Sequence, residues 1–273
     1  MVDGRLSGVG VRALSALAMA PVAAAALFAG PSIFAAIVAA GSVVLAWEWT
    51  RLCGEGRFGR TGWMLAAIAL GVVAAAAALR FDYALALAVL GTILVYLFAK
   101  YSRRANPSWI AVGPLYIGVP AVALIWLRDD DAAGRHLIAW LFVTVWATDI
   151  GAYFAGRLIG GPRLAPRVSP NKTWAGLIGA VVSAGIVGIV AALVDPLGPK
   201  AVLLAAAGAA LAIVAQAGDL GESWVKRRFG AKDASALIPG HGGLFDRVDG
   251  LLAAAAVLAL WQWLTGSGVL SWR

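Results

Sequence analysis

The sequence predicts an all-α integral membrane protein of about nine transmembrane helices, with a cytoplasmic polar site between the last helices. Three observations carry that expectation. Apolar runs recur along the chain at close to the ~20 residues that cross a bilayer. Lys and Arg are plentiful in every second connection and scarce in the others. Charged residues are only 13% of the chain, yet the stretch 219–249 holds five of its fourteen acidic and five of its 22 basic groups.

The runs fall at 11–29, 33–49, 63–79, 83–99, 109–127, 137–158, 174–194, 201–217 and 248–264. Between them lie turn or charge signals such as Gly30-Pro31, Arg80 to Asp82, Lys100 to Pro107 and Asp195 to Lys200. The first run follows Arg5 and Arg12, as the apolar part of a signal peptide would, but it is expected to remain as a helix. Several runs are short, so tilt is expected. Trp47, Trp49, Trp63, Trp109, Trp126, Trp261 and Trp263 lie near run ends, where indole rings anchor at the interface. Pro114 and Pro120 are expected to kink the fifth run. No polar stretch outside the runs is long enough for a core of its own, so residues 1–273 read as one polytopic domain. Residues 1–130 would supply N-terminal helices, and 131–273 the catalytic helices with the 218–249 loop.

If alternate connections face alternate sides, the N-terminal side receives seventeen Lys and Arg and the other side five. That asymmetry predicts a cytoplasmic N-terminus and a cytoplasmic polar stretch, in a cell inner membrane. The net charge of +8 thus reflects topology, and no nucleic-acid partner is expected. Cys53 is the single cysteine, which excludes an intramolecular disulfide and a Cys-rich zinc site. Any metal must be held by oxygen ligands.

Within the polar stretch, Asp219, Glu222, Ser223 and Lys226 follow i, i+3, i+4, i+7 spacing and share a face if the eighth helix continues past Gly218 and Gly221. A solvated helix end with a Glu222–Lys226 ion pair has the same pattern. Asp246 and Asp249 follow at i, i+3 on the last helix, where either could cap. Two carboxylates on one face, joined by Asp219, suit a hard cation better. The loop Ile238-Pro239-Gly240-His241-Gly242-Gly243 offers unobstructed amides for a phosphate, and Lys226, Arg227, Lys232 and Arg247 offer positive charge. Together these point to phosphoryl or nucleotidyl chemistry with Mg²⁺. His241 reads as a phosphate or loop contact, because a phosphate monoester is largely dianionic at neutral pH and needs no base to attack.

Two more features join this side. Asp149, with Tyr153 at i+4 and Gly156 at i+7, is an ionisable group inside a membrane run, and so either a functional ligand or an Asp paired for packing. Ser169-Pro170-Asn171-Lys172-Thr173 reads as a polar turn in which Ser169 and Asn171 cap and Lys172 meets phosphate. Glu48, between Trp47 and Trp49, is less specific.

These residues resemble the signature of the phosphatidate cytidylyltransferases, the CDP-diacylglycerol synthases. The match runs Ser223-x-x-Lys226-Arg227-x4-Lys232-Asp233-x-Ser235-x-x-Ile238-Pro239-x-His241-Gly242-Gly243-x-x-Asp246-Arg247-x-Asp249. It extends to Asp149-x-x-Ala152-Tyr153-x-x-Gly156 and Ser169-Pro170-x-Lys172-Thr173-x-x-Gly176, and covers the N-terminal half only by helix pattern. Ala175 stands where many members carry Glu. The resemblance implies transfer of a cytidylyl group from CTP to phosphatidate, giving CDP-diacylglycerol and pyrophosphate, with Mg²⁺ and with a homodimer. It implies Asp219, Lys226, Asp246 and Asp249 as catalytic, and Asp149, Asp219, Asp246 and Asp249 as ligands of one or two cations. Ser169, Asn171, Lys172, Ser223, Arg227, Lys232, His241 and Arg247 become substrate contacts. A CTP-dependent lipid kinase would share such a site but release CDP. A transporter would place its ionisable groups at the bilayer midplane.

Overall fold

The computed structural model describes residues 25, 26, 28, 30–129, 133–194, 201–238 and 242–266. Among them, eight helices are long and apolar enough to cross a membrane, so the chain is a multi-pass, essentially all-α membrane protein. They are α1 (Pro31–Cys53), α2 (Gly59–Ala77), α3 (Phe81–Tyr101), α4 (Pro107–Arg128), α5 (Ala133–Leu158), α6 (Trp174–Val194), α7 (Ala201–Arg228) and α8 (Phe245–Thr265). Each matches one predicted run, and all contain theirs except α2, which ends at Ala77 where the run reaches 79. The first predicted run, 11–29, lies almost wholly outside the described residues. Both Pro114 and Pro120 lie inside α4, which continues through them as one helix.

One expectation needs correction. The 169–173 segment is not a connecting turn but a strand, β2 (Ser169–Thr173), paired antiparallel with β1 (Arg163–Ala165). The hairpin is small because the stretch between α5 and α6 is short and polar.

The chain divides into two compact units, Met1–Trp126 with Phe229–Val248, and Leu127–Arg228 with Asp249–Arg273. In the first, Val72, Val73 and Ala76 of α2, Ala84 and Ala88 of α3, and Ala121, Val122 and Ile125 of α4 form one buried cluster. An aromatic group sits beside α1, where Trp49 stacks on Tyr116 at 5.0 Å and Tyr116 on Phe245 at 5.3 Å between ring centroids. The Trp49 indole N–H also donates to the Trp109 carbonyl at 2.9 Å.

The second unit is built on small residues. Ala180 and Ala184 of α6 meet Ala212 of α7 in its core. A Cβ on Gly208 would lie 2.5 Å from the Ala184 carbonyl oxygen, and one on Gly179 2.6 Å from that of Gly151. Backbones approach this closely because lipid provides no hydrophobic drive between helices and contact itself must hold them. Large apolar residues face outward instead, as Leu85, Val89, Ile93 and Leu97 do on α3 and Ile178, Val182, Ile186 and Val190 on α6. Such outward rows suit acyl chains rather than water.

Candidate active site

α7 outlasts its apolar run by eleven residues and ends at Arg228, so the polar i, i+3, i+4, i+7 set is helical, as its spacing predicts. The Glu222–Lys226 ion pair forms at 2.5 Å, with the Glu222 side chain fully buried. Ser223 Oγ donates to Asp219 Oδ1 at 3.4 Å. Gly218 lets α8 come against this face, since a Cβ there would meet Ala253 Cβ at 2.6 Å and the Asp249 carbonyl oxygen at 2.9 Å. Gly250 does the same from α8, where a Cβ would stand 3.3 Å from Ala215. Two glycines therefore bracket the point at which Asp249 joins Asp219.

The result is a carboxylate group. One oxygen each from Asp219, Glu222 and Asp249 lies within 4.8 Å of the others. Asp249 Oδ1 accepts its neighbouring Gly250 N–H at 2.7 Å. Asp219, Asp149 and Lys172 all act electrostatically on Asp249. Like charges this close need compensation, and two lysines supply it. Lys172 Nζ lies 2.6 Å from Asp219 Oδ2 and donates to Gln216 Oε1 at 2.9 Å.

Lys172 is brought there by the hairpin. Thr173 Oγ1 accepts the Gly176 N–H at 3.0 Å and thereby caps α6, the role that sequence spacing gave to Ser169 and Asn171. Gly156 and Gly176 make room for this joint, for a Cβ on Gly156 would reach Thr173 Oγ1 at 3.2 Å. At the far end of the hairpin, Arg227 Nε donates to the Val168 carbonyl at 3.4 Å.

A cleft of about 520 Å³ opens over these groups. Asp149, Ser169, Asn171, Lys172 and Asp219 line it, together with Tyr153, Arg157 and Gln216. Tyr153 is the residue noted at i+4 from Asp149, whereas Arg157 and Gln216 were not singled out from sequence. Gln216 is one turn before Asp219, and Arg157 is held by the Tyr153 hydroxyl at 2.5 Å. A helical register continued backwards from Asp219 and one more turn beyond Tyr153 would have found them.

The first unit holds the other half of the signature. Asp246 accepts hydrogen bonds from the backbone N–H groups of Gly243 (2.7 Å) and Ala234 (3.0 Å). Glu48 is buried, and accepts from Ser235 Oγ at 2.6 Å, Leu244 N at 2.9 Å and Phe245 N at 2.7 Å. Gly242 N donates to the Ile238 carbonyl at 3.1 Å. The described amides of the glycine loop are thus engaged by the protein's own acceptors, which differs from an open phosphate cradle. Gly242 has φ +84°, and a Cβ there would lie 2.8 Å from Asp246 Oδ2. Lys232 and Arg247 are exposed, and His241 lies outside the described residues.

Oxygen-only, closely spaced carboxylates are the donor set that a hard divalent cation takes, so Asp219, Glu222 and Asp249 fit such an ion. Glu222, which the spacing put on one face with Asp219 and offered as a partner of Lys226 but not as a metal ligand, enters this group.

Comparison with known proteins bears on which chemistry this is. A phosphatidate cytidylyltransferase of Pseudomonas aeruginosa is 39% identical over 269 residues, covering 94% of this chain and 98% of that one. Another from Brucella suis biovar 1 is 54% identical over 158 residues, 58% of each chain. One from Haemophilus influenzae is 40% identical over 148 residues, 52% of this chain and 50% of that one. The matched segment thus spans 58% of the length of the Brucella relatives. A profile of the cytidylyltransferase family matches residues 10–264, and the chain belongs to that family.

Proposed function

We propose that this protein transfers the cytidylyl group of CTP to phosphatidate, giving CDP-diacylglycerol and pyrophosphate for phospholipid biosynthesis. The observation that carries the reading is the Asp219, Glu222 and Asp249 group with Lys172 paired to it, beside a cleft that Asp219 and Lys172 line. Family membership selects the nucleotide and the lipid from the phosphate chemistries such a site suits. The seventeen-to-five division of Lys and Arg supports a cytoplasmic site and N-terminus in the inner membrane. The family resemblance supports a homodimer, which the mass of the purified protein in detergent tests.

In the reaction a phosphatidate oxygen attacks the α-phosphorus of CTP in line. A new P–O bond forms as the bond to the bridging oxygen of pyrophosphate breaks, and that oxygen takes the electron pair. The monoester is already dianionic, so no side chain need remove a proton. Asp219 and Asp249, with Glu222, Asp149 or Asp246, would hold Mg²⁺, which would supply positive charge to the triphosphate. Lys172, positioned by Asp219 and Gln216, stabilises charge developing on phosphate oxygens, with Lys226 and Arg247 in the same role. Ser169, Asn171, Ser223, Arg227, Lys232 and His241 contact the substrates.

The test is product identity. Purified protein in detergent with CTP, phosphatidate and Mg²⁺ is expected to release pyrophosphate only when both substrates are present. Release of CDP would instead make it a lipid kinase, and activity without phosphatidate would sink the proposal.

A further inference from the structure

Glu48 is an acid on a membrane-spanning helix, far in sequence from every signature residue and outside the chemistry described above. Its relative exposure is 1%, and among the described residues its bonds come from neutral donors, whereas Glu222 pairs with Lys226. Both accept from one short segment, Oε1 from the Ser235 hydroxyl and the Leu244 N–H, and Oε2 from the Phe245 N–H. Those partners lie 187 to 197 residues away along the chain. Bonds from neutral donors to a buried carboxylate are strong and directional, and losing one leaves a buried group unpaired.

The packing around Glu48 fits this use. Gly243 has no room for a side chain, since a Cβ there would stand 2.9 Å from the Glu48 carboxyl carbon and 3.0 Å from Ser235 Oγ. Phe245, whose N–H Glu48 holds, is itself fully buried against Trp49 and Tyr116. Residues 48 and 49 of α1 therefore grip one point twice, by backbone and by ring. Asp246 follows immediately, and it ties Ala234 and Gly243 to itself. Glu48 and Asp246 together tie residues 234 and 235 to residues 243–245, with Gly243 between the two carboxylates.

We propose that Glu48 is a positioning residue that sets residues 234–238 and 242–246, and through them the Asp246 carboxylate, for the reaction. This rests on the cytidylyltransfer reading for its kinetic consequence, but not for its structural one. Substitution of Glu48 by Gln removes the charge and turns an N–H₂ toward donors that need an acceptor. Glu48→Asp keeps the charge and shortens its reach.

The experiment uses the full chain in detergent and compares wild type, Glu48→Gln, Glu48→Asp and Ser235→Ala. Amide hydrogen exchange is followed by mass spectrometry, with pyrophosphate release measured across a Mg²⁺ titration. Glu48→Gln is expected to speed exchange at least tenfold in 234–238 and 242–246 while α2, α3 and α6 keep wild-type protection. It should lower kcat at least tenfold and raise the Mg²⁺ concentration at half-maximal rate, leaving KM for phosphatidate within twofold. Glu48→Asp should recover part of both, and Ser235→Ala should show a smaller change of the same kind. Unchanged exchange in the loop overturns the proposal. So does uniform loss of protection across all helices with an unchanged Mg²⁺ midpoint, which would make Glu48 a general stability residue. A wild-type protein with no pyrophosphate release would overturn the activity alone, since the exchange result stands apart from it.

Discussion

Glu48 and Asp246 in one unit accept hydrogen bonds from five donors, four of them backbone N–H groups and one a hydroxyl. Asp219, Glu222 and Asp249 in the other face one another and two lysines. The difference separates two uses of the same functional group. A carboxylate held by backbone amides orders a loop. Carboxylates crowded within 4.8 Å are stable only through the positive charge around them, and so select for a ligand that brings more. Acidic residues that look alike in sequence therefore differ in how the protein itself holds them.

The widest contrast comes from removing charge at the crowded group. Asp249→Asn is expected to lower pyrophosphate release by about 10³-fold while the purified protein keeps its elution volume and helical circular dichroism. Activity within tenfold of wild type would break the distinction. Chelation of divalent cations should abolish turnover in the wild-type protein, with recovery on adding Mg²⁺.

Lys172→Met comes next. It leaves Asp219 without its 2.6 Å partner, and a loss of about 10²-fold, or roughly 2.7 kcal/mol of barrier, is expected in the same assay. A rise only in KM for CTP, with kcat intact, would make Lys172 a ground-state anchor.

Smaller effects test the shaping role of glycine. Gly243→Ala forces a methyl against Glu48 and Ser235, and Gly218→Ala forces one against α8 backbone and Ala253. Each should cost about 1–3 kcal/mol of stability, read as a lower thermal midpoint in detergent. Gly221→Ala is the opposite case, because a Cβ there has nothing within 4 Å and the residue lies inside α7. Replacing this exposed helical glycine is expected to raise stability by about 0.5–1 kcal/mol. A drop would mean that the α7 face at Gly221 is occupied.

Why some of this was legible from sequence alone follows from distance along the chain. The helices are marked by local hydropathy, and the Asp219 to Lys226 face by helical period, so both could be read directly. Asp246 could be placed at the start of α8 but not given its partners, because Ala234 lies twelve residues back across a loop. Glu48 was undervalued for the same reason at larger scale, since nothing near it in sequence explains a buried acid. The hairpin escaped because strands of three and five residues are too short for a period to show.

That hairpin sets a rule for which changes the chain can absorb. Arg163 pairs with Thr173 and Ala165 with Ser169, with an irregularity of register between the two pairs, and Lys172 reaches Asp219 from that arrangement. Exchanging one residue for another in the 166–168 turn leaves that arrangement alone. Deleting one residue there shifts the pairing that presents the ammonium to Asp219, and with it the Val168 carbonyl that holds Arg227. Relatives of this protein should therefore differ freely in the identity of those residues but not in their number.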